Sequence, residues 1–201
     1  RVLTGDVGGS FGMKGSPYPE HAPMLVASKC LGRPVKWCDE RVDSFVSDQH
    51  GRDSFAEVSI AFDKDGAMLA AKAKCNANVG AYLTAVGPSM HTRNLPRNFP
   101  GGYRLPLFSA RTRAAFTNTT PIGAYRGAGR PEGVYYMERL LDNAARHMGI
   151  DRVELRRRNL LRPDELPFEA VSELTYDSGD FPALLDTGIE QSEWAQFEQR
   201  R

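Results

Sequence analysis

The sequence has no CxxC pair, no cluster of histidines and no excess of charge of either sign. Cys30, Cys38 and Cys75 are its only cysteines. An odd number without knuckle spacing excludes a disulfide framework or zinc finger, and reads as buried free thiols in a reducing compartment, the cytoplasm. His21, His50, His91 and His147 are scattered along the chain, so no metal-ligating set of protein side chains is visible. The 26 basic and 25 acidic residues nearly cancel, which argues against a nucleic-acid surface. No apolar run approaches the roughly 18 residues of a membrane span, and no charged-then-apolar leader is present. What remains is a soluble chain of 201 residues, 41% hydrophobic, with enough material for one large or two small domains.

The chain opens on "RVLTGDVGGS" as if a strand had been cut from a larger sheet, and is read as a fragment. An apolar helix is expected from Glu20 to Leu31, closed by Gly32, then a short strand at Pro34 to Cys38 and a short helix in "ERVDSFVSD". Ala56, Val58, Ile60 and Phe62 alternate at period two. The turn Asp63-Lys64-Asp65-Gly66 follows, and Leu69, Ala71, Ala73 and Cys75 continue the alternation, which predicts an antiparallel hairpin. Val86 to Leu107, rich in proline, reads as a long loop and a possible sub-boundary. "SARTRAAFTN" reads as a strand. An amphipathic helix follows, with Val134, Met137, Leu140, Leu141, Ala144 and Met148 on one face and Pro131 in its first turn. "DRVELRRRNLL" is helical, with Arg156 to Arg158 as a solvated face or subunit contact, and Trp37, Trp194 and the tyrosines of "VYYMERLL" are taken as packing. The fold class is α+β, a mixed α/β fragment with an antiparallel hairpin and several amphipathic helices.

Two glycine-rich stretches stand out. "GDVGGSFGMKGS" fails the Walker pattern, because Gly12, Met13, Lys14 and Gly15 break its Gly-Lys-Ser/Thr ending. It fails the dinucleotide fingerprint by one residue, with Val7 where the first glycine belongs. "AYRGAGRPEG" spaces Gly127, Gly129 and Gly133 like a loosened dinucleotide motif, yet the acidic residue about 20 positions on is missing. It does place backbone amides at a helix N-terminus, flanked by Arg126 and Arg130, where an anion is favoured. These glycines can equally serve tight turns alone, with Arg126 capping a helix or pairing with Glu132.

Taken together and in order, "GGSFG" at Gly8 to Gly12, "AYRGAGRPE" at Ala124 to Glu132, "DRVELRRRNLL" and "TYDSGDF" resemble the large subunit of molybdenum hydroxylases, the family of xanthine dehydrogenase, aldehyde oxidase and carbon monoxide dehydrogenase. The resemblance covers essentially the whole chain. It implies a molybdopterin cofactor, in its cytosine dinucleotide form, contacted by Gly8, Gly9, Ser10, Phe11 and Gly12 and by Arg126, Gly127, Ala128 and Gly129. Arg126 would be the catalytic member, Phe11 would wedge the first loop, and no metal ligand would come from the protein here. The activity implied is hydroxylation of aldehydes or N-heterocycles with water as oxygen source. Purine-oxidising members carry Glu where Gly15 stands and a stacking Phe where Ala128 stands. Carbon monoxide dehydrogenases carry a copper-binding Cys where Gly127 stands, so no copper is expected. Implied partners are FAD-binding and iron-sulfur subunits or domains and the remainder of the large subunit, which would supply a catalytic Glu and most pterin contacts. A fragment of this kind is expected to be inactive alone and to self-associate. The competing class is a non-catalytic interaction domain with structural glycines.

Overall fold

The computed structural model describes residues 1–200. Its frame is a three-stranded sheet in the order β1-β2-β3. β1 (Ser54–Phe62) and β2 (Met68–Gly80) form the expected antiparallel hairpin, pairing Ala56 with Cys75, Val58 with Ala73 and Ile60 with Ala71. Asp63 fixes the turn, its Oδ1 accepting from the amides of Asp65 and Ala67 at 2.9 and 2.8 Å. A register shift at Ala61/Phe62 opposes Phe62 to Met68. That extra residue reverses the phase of β2 at its start, so Met68 is buried and Leu69, expected inside, is exposed.

β3 (Phe108–Phe116) runs parallel to β2, which obliges the chain to cross over between them. The crossover contains the segment expected to be a loop, and this expectation is overturned. It folds as α3 (Gly87–Ser89), a π-helical turn (Met90–Asn94) and α4 (Leu95–Asn98). Pro88 and Pro96 sit in the first positions of their helices, where a missing N–H costs nothing. The widened turn, closed by the Leu95 amide on the Met90 carbonyl, leads directly into Pro96. Leu95 and Phe99 become fully buried, and the Phe99 ring stacks on Phe108 at 4.7 Å.

α5 (Arg130–Met148) starts at Gly129 and stops at Gly149, both left-handed. It buries Gly133, Met137, Leu141 and Ala145 against the small residues Ala71 and Ala73 of the sheet. The buried stripe lies one position round from that expected, so Ala145 rather than Ala144 is innermost and Val134 is exposed. α6 (Arg152–Asn159) begins at Asp151, whose carboxylate accepts from the amides of Val153 and Glu154 at 2.9 Å.

α6 ends on Asn159, a buried side chain that ties three segments. Its Oδ1 accepts from Met68, and its Nδ2 donates to the Gly66 and Leu155 carbonyls, each at 2.8 Å. Arg156 is not a solvated residue: its side chain is 15% exposed and pairs with Glu138 and Asp142 of α5 at 2.8 and 2.9 Å. A two-stranded ribbon, β4 (Phe168–Glu169) with β5 (Thr175–Tyr176), precedes α7 (Phe181–Gln191).

The N-terminal part packs less. α1 (His21–Leu31) ends at Gly32 as expected, and α2 (Arg41–Ser47) matches "ERVDSFVSD", but neither contains a buried residue. Pro34 to Cys38 is not a strand, since it pairs with no strand among the described residues. Cys75 is buried, whereas Cys30 and Cys38 are exposed, as is Trp37. Cys30, Cys38 and Trp37 lie on or next to α1, which buries no residue among the described ones. Trp194 does pack, stacked on Phe197 with Arg152 over its ring. No helix among the described residues is long and apolar enough to cross a membrane.

Candidate functional site

The two glycine stretches, more than a hundred residues apart, lie against each other. The Arg126 amide donates to the Phe11 carbonyl at 2.9 Å, and a Cβ on Gly12 would stand 2.9 Å from the Ala124 carbonyl oxygen. This close approach explains the bare backbone at Gly12, which also needs φ 96°.

Within the first stretch Gly9, Phe11 and Gly12 all have positive φ. Ser10 organises the turn, its Oγ accepting from the Gly12 amide at 3.2 Å and its carbonyl from Met13 at 3.1 Å. The Phe11 ring folds over Gly9, where a Cβ would meet it at 2.9 Å, and stays 53% exposed. It therefore covers the loop rather than filling a core. Gly8 differs from both neighbours in kind: nothing lies within 4 Å of its Cβ position, and its φ requires no glycine. Lys14 anchors the stretch to the end of α2 through Asp48 at 2.9 Å.

The second stretch turns through Gly127, Ala128 and Gly129, at φ 96, 47 and 91°. Gly127 faces the Pro131 ring and Gly129 the Met90 carbonyl, each too close for a Cβ. Asn94 holds the Ala128 carbonyl at 2.9 Å. The π turn of the crossover is thus the back wall of this loop. That relation was invisible in the sequence, because Met90, Asn94 and Gly129 meet only through tertiary packing.

The Ala128 amide is satisfied by the Tyr125 carbonyl at 2.7 Å. By contrast, among the described residues no backbone carbonyl accepts from the amides of Gly8, Gly9, Phe11, Gly127 or Gly129. The Arg126 side chain is exposed and, among the described residues, has no carboxylate partner. Glu132, considered as its mate, instead faces Arg52 with Oε1 3.3 Å from Nε. Behind the loop His91 is 1% exposed, with neither ring nitrogen hydrogen-bonded. Burial holds its imidazole below the ordinary value, against the opposing pull of Glu132 and Asp53.

Free backbone amides and one exposed guanidinium thus lie in two loops that touch, a combination suited to an oxygen-rich or anionic group. Among the described residues no group of three His, Cys, Asp or Glu side chains could hold a metal ion. These residues fit a metal carried by an organic ligand whose oxo and phosphate oxygens accept hydrogen bonds, and do not fit a metal held by protein side chains.

Comparison with known proteins gives a consistent picture. The profile of the molybdopterin cofactor-binding domain matches residues 1–160. The gamma subunit of the 6-hydroxypseudooxynicotine dehydrogenase complex of Paenarthrobacter nicotinovorans is 36% identical, over 97% of this chain and 25% of that subunit. The carbon monoxide dehydrogenase large chain of Hydrogenophaga pseudoflava is 33% identical, over 92% and 23%. Quinoline 2-oxidoreductase from Pseudomonas putida 86 superposes with a TM-score of 0.91 at 34% identity, covering 97% of this chain and 25% of that one. The chain thus spans about a quarter of the length of the curated relatives it matches.

Proposed function

The chain belongs to the molybdopterin cofactor-binding domain family, and from that premise we propose that it forms one wall of the active site of a molybdenum hydroxylase large subunit. The observation that carries the reading is the joining of the two glycine stretches by the Arg126 amide and the Phe11 carbonyl, which sets loops with free amides side by side. When bound, molybdopterin supplies two-electron oxidation of a substrate carbon with water as the oxygen source.

The chain's own residues bind and orient. The amides of Gly8, Gly9 and Phe11 on one side, and of Gly127 and Gly129 on the other, donate to cofactor oxygens. They are held in place by turns that need glycine at Gly9, Gly12, Gly127 and Gly129. Arg126 presents a planar fork beside them and stabilises negative charge as it develops on substrate or cofactor oxygen. Phe11 shields the first loop from water, and Ala128 leaves room for an aromatic substrate.

The substrate class is an N-heterocycle or aldehyde, an assignment supported by the names of the relatives, two of which act on nicotine-derived or quinoline rings. The cofactor is the cytosine dinucleotide form, and copper takes no part. Support for the latter is Gly127, whose φ and contact with Pro131 leave no room for the side chain that a copper thiolate would need. FAD-binding and iron-sulfur subunits or domains receive the electrons, and the enzyme works in the cytoplasm. The test is purification of the full-length protein with its partners, followed by metal and pterin analysis and assays with quinoline, an aromatic aldehyde and carbon monoxide. Molybdenum without copper, and turnover of the first or second substrate, is expected. Equimolar copper with rapid carbon monoxide oxidation overturns the assignment.

A further inference from the structure

Besides Asn94, a second side chain outside both glycine stretches grips the second one. Arg52, at the approach to β1, stands in the left-handed region at φ 49°, a conformation that a non-glycine residue keeps only when its surroundings impose it. Its Nη2 donates to the Arg126 carbonyl. Its Nε lies 3.3 Å from Glu132 Oε1, and its guanidinium carbon 4.8 Å from the centre of the Tyr125 ring. The Glu132 side chain is only 10% exposed, and neither carboxylate oxygen has a hydrogen-bond partner among the described residues. The Arg52 ion pair is therefore the interaction that compensates this buried charge.

The Arg126 carbonyl and the Gly127 amide belong to one planar trans peptide and point in opposite directions. Holding the carbonyl toward Arg52 consequently turns the Gly127 N–H away from it, and among the described residues that N–H has no backbone acceptor. We propose that Arg52, anchored by Glu132 and Tyr125, is the positioning residue that aims the Arg126–Gly127 peptide of the cofactor-facing turn. The inference rests on the proposed function for what the turn faces, and on these contacts alone for the grip itself. A lysine could neutralise Glu132 but could not donate in the same plane to the carbonyl as well.

The experiment compares Arg52→Gln and Arg52→Lys with the wild type in the full-length protein. It uses amide hydrogen exchange resolved by mass spectrometry, together with molybdenum content, kcat and KM. In Arg52→Gln the amides of Arg126 and Ala128 should exchange roughly tenfold faster, the scale of one lost local hydrogen bond. Exchange in the hairpin of residues 54–80 should not change. The kcat should fall by about the same factor with KM little altered, and Arg52→Lys should lie between. Unchanged exchange at Arg126 and Ala128, exchange rising equally in the hairpin, or unaltered kcat despite faster loop exchange each overturns the positioning role. Wild-type protein without molybdenum overturns the proposed function instead, while the exchange data still decide whether Arg52 grips the turn.

Discussion

Gly8, Gly12 and Gly129 are indistinguishable as letters, and the structure separates them. At Gly129 the φ is 91° and a Cβ would enter the Met90 carbonyl. Gly129→Ala should therefore lose at least the roughly 1–2 kcal/mol of a left-handed L-residue, with the steric clash added, in urea unfolding of the chain itself. Gly12 is likewise required by the approach of Ala124. Loss of cofactor in a Gly12 or Gly129 variant would thus report loop packing as much as cofactor contact. At Arg126 the exposed fork, without a carboxylate partner among the described residues, predicts that Arg126→Lys lowers turnover more than stability, because an ammonium cannot supply two coplanar donors. A melting temperature that falls while turnover per folded molecule holds would make Arg126 structural. The composition of the two stretches was enough to single out these residues, and their spacing was enough to reject the nucleotide motifs. That they touch is a long-range fact with no local signal, as is the role of Arg52, which sits in an unremarkable "GRDSF".

Among the elements, those with a clean period were legible. β1 and β2 announce themselves by alternation, α5 by its apolar stripe with Pro131 near one end and Gly149 just past the other, and α6 by Asp151. The crossover was not legible, because Pro88 and Pro96 punctuate it like a loop and its π turn breaks the 3.6-residue period. Its buried residues Met90, Leu95 and Phe99 follow no single helical period, and its backbone comes close to α5 at Gly133, which faces the Leu95 carbonyl.

Asn159 was similarly silent, a polar letter in a basic helix that proves to fasten the hairpin turn. Asn159→Ala leaves the buried Met68 amide and Gly66 carbonyl without their partner, at about 1–3 kcal/mol for each that water cannot reach, while the Leu155 carbonyl keeps its helical bond. Denaturant unfolding should show a loss several times that of an exposed alanine substitution, such as Asn143→Ala. A second tie, Arg104 to Glu165 at 2.5 Å, predicts a pH effect. The Arg104 hydrogen bond, then that of the Arg162 amide, holds the Glu165 carboxyl down at about 2, from an ordinary 4.5. A depressed folded-state value means stability that is present above about pH 4.5 and lost as pH falls toward 2. Arg104→Gln should flatten that part of the stability-pH curve, and an unchanged acid limb would remove the pair from the account.

The whole molecule is uneven. Its core lies between the sheet, α5, α6 and the segment 99–105, while Val2, Leu3, Val7, Phe45 and Val46 are each more than 70% exposed. Such apolar surface, with the edge of β3 unpaired, favours association. The isolated chain should therefore show concentration-dependent mass in sedimentation, and a clean monomer at high concentration would contradict this. The chain spans a quarter of its relatives' length, and on the proposed reading residues 1–201 alone should purify without molybdenum.

The most direct test uses the glycine that the chain's own packing leaves free. Gly8 has open space at its Cβ position and an ordinary φ, so Gly8→Val should fold, with melting behaviour like the wild type. In the full-length protein that side chain would stand where the cofactor is proposed to meet the backbone. The measurement is molybdenum and pterin per folded subunit in the two proteins. The account predicts stoichiometric loading of the wild type and little or none in Gly8→Val, whereas full loading of a normally folded Gly8→Val protein would contradict it.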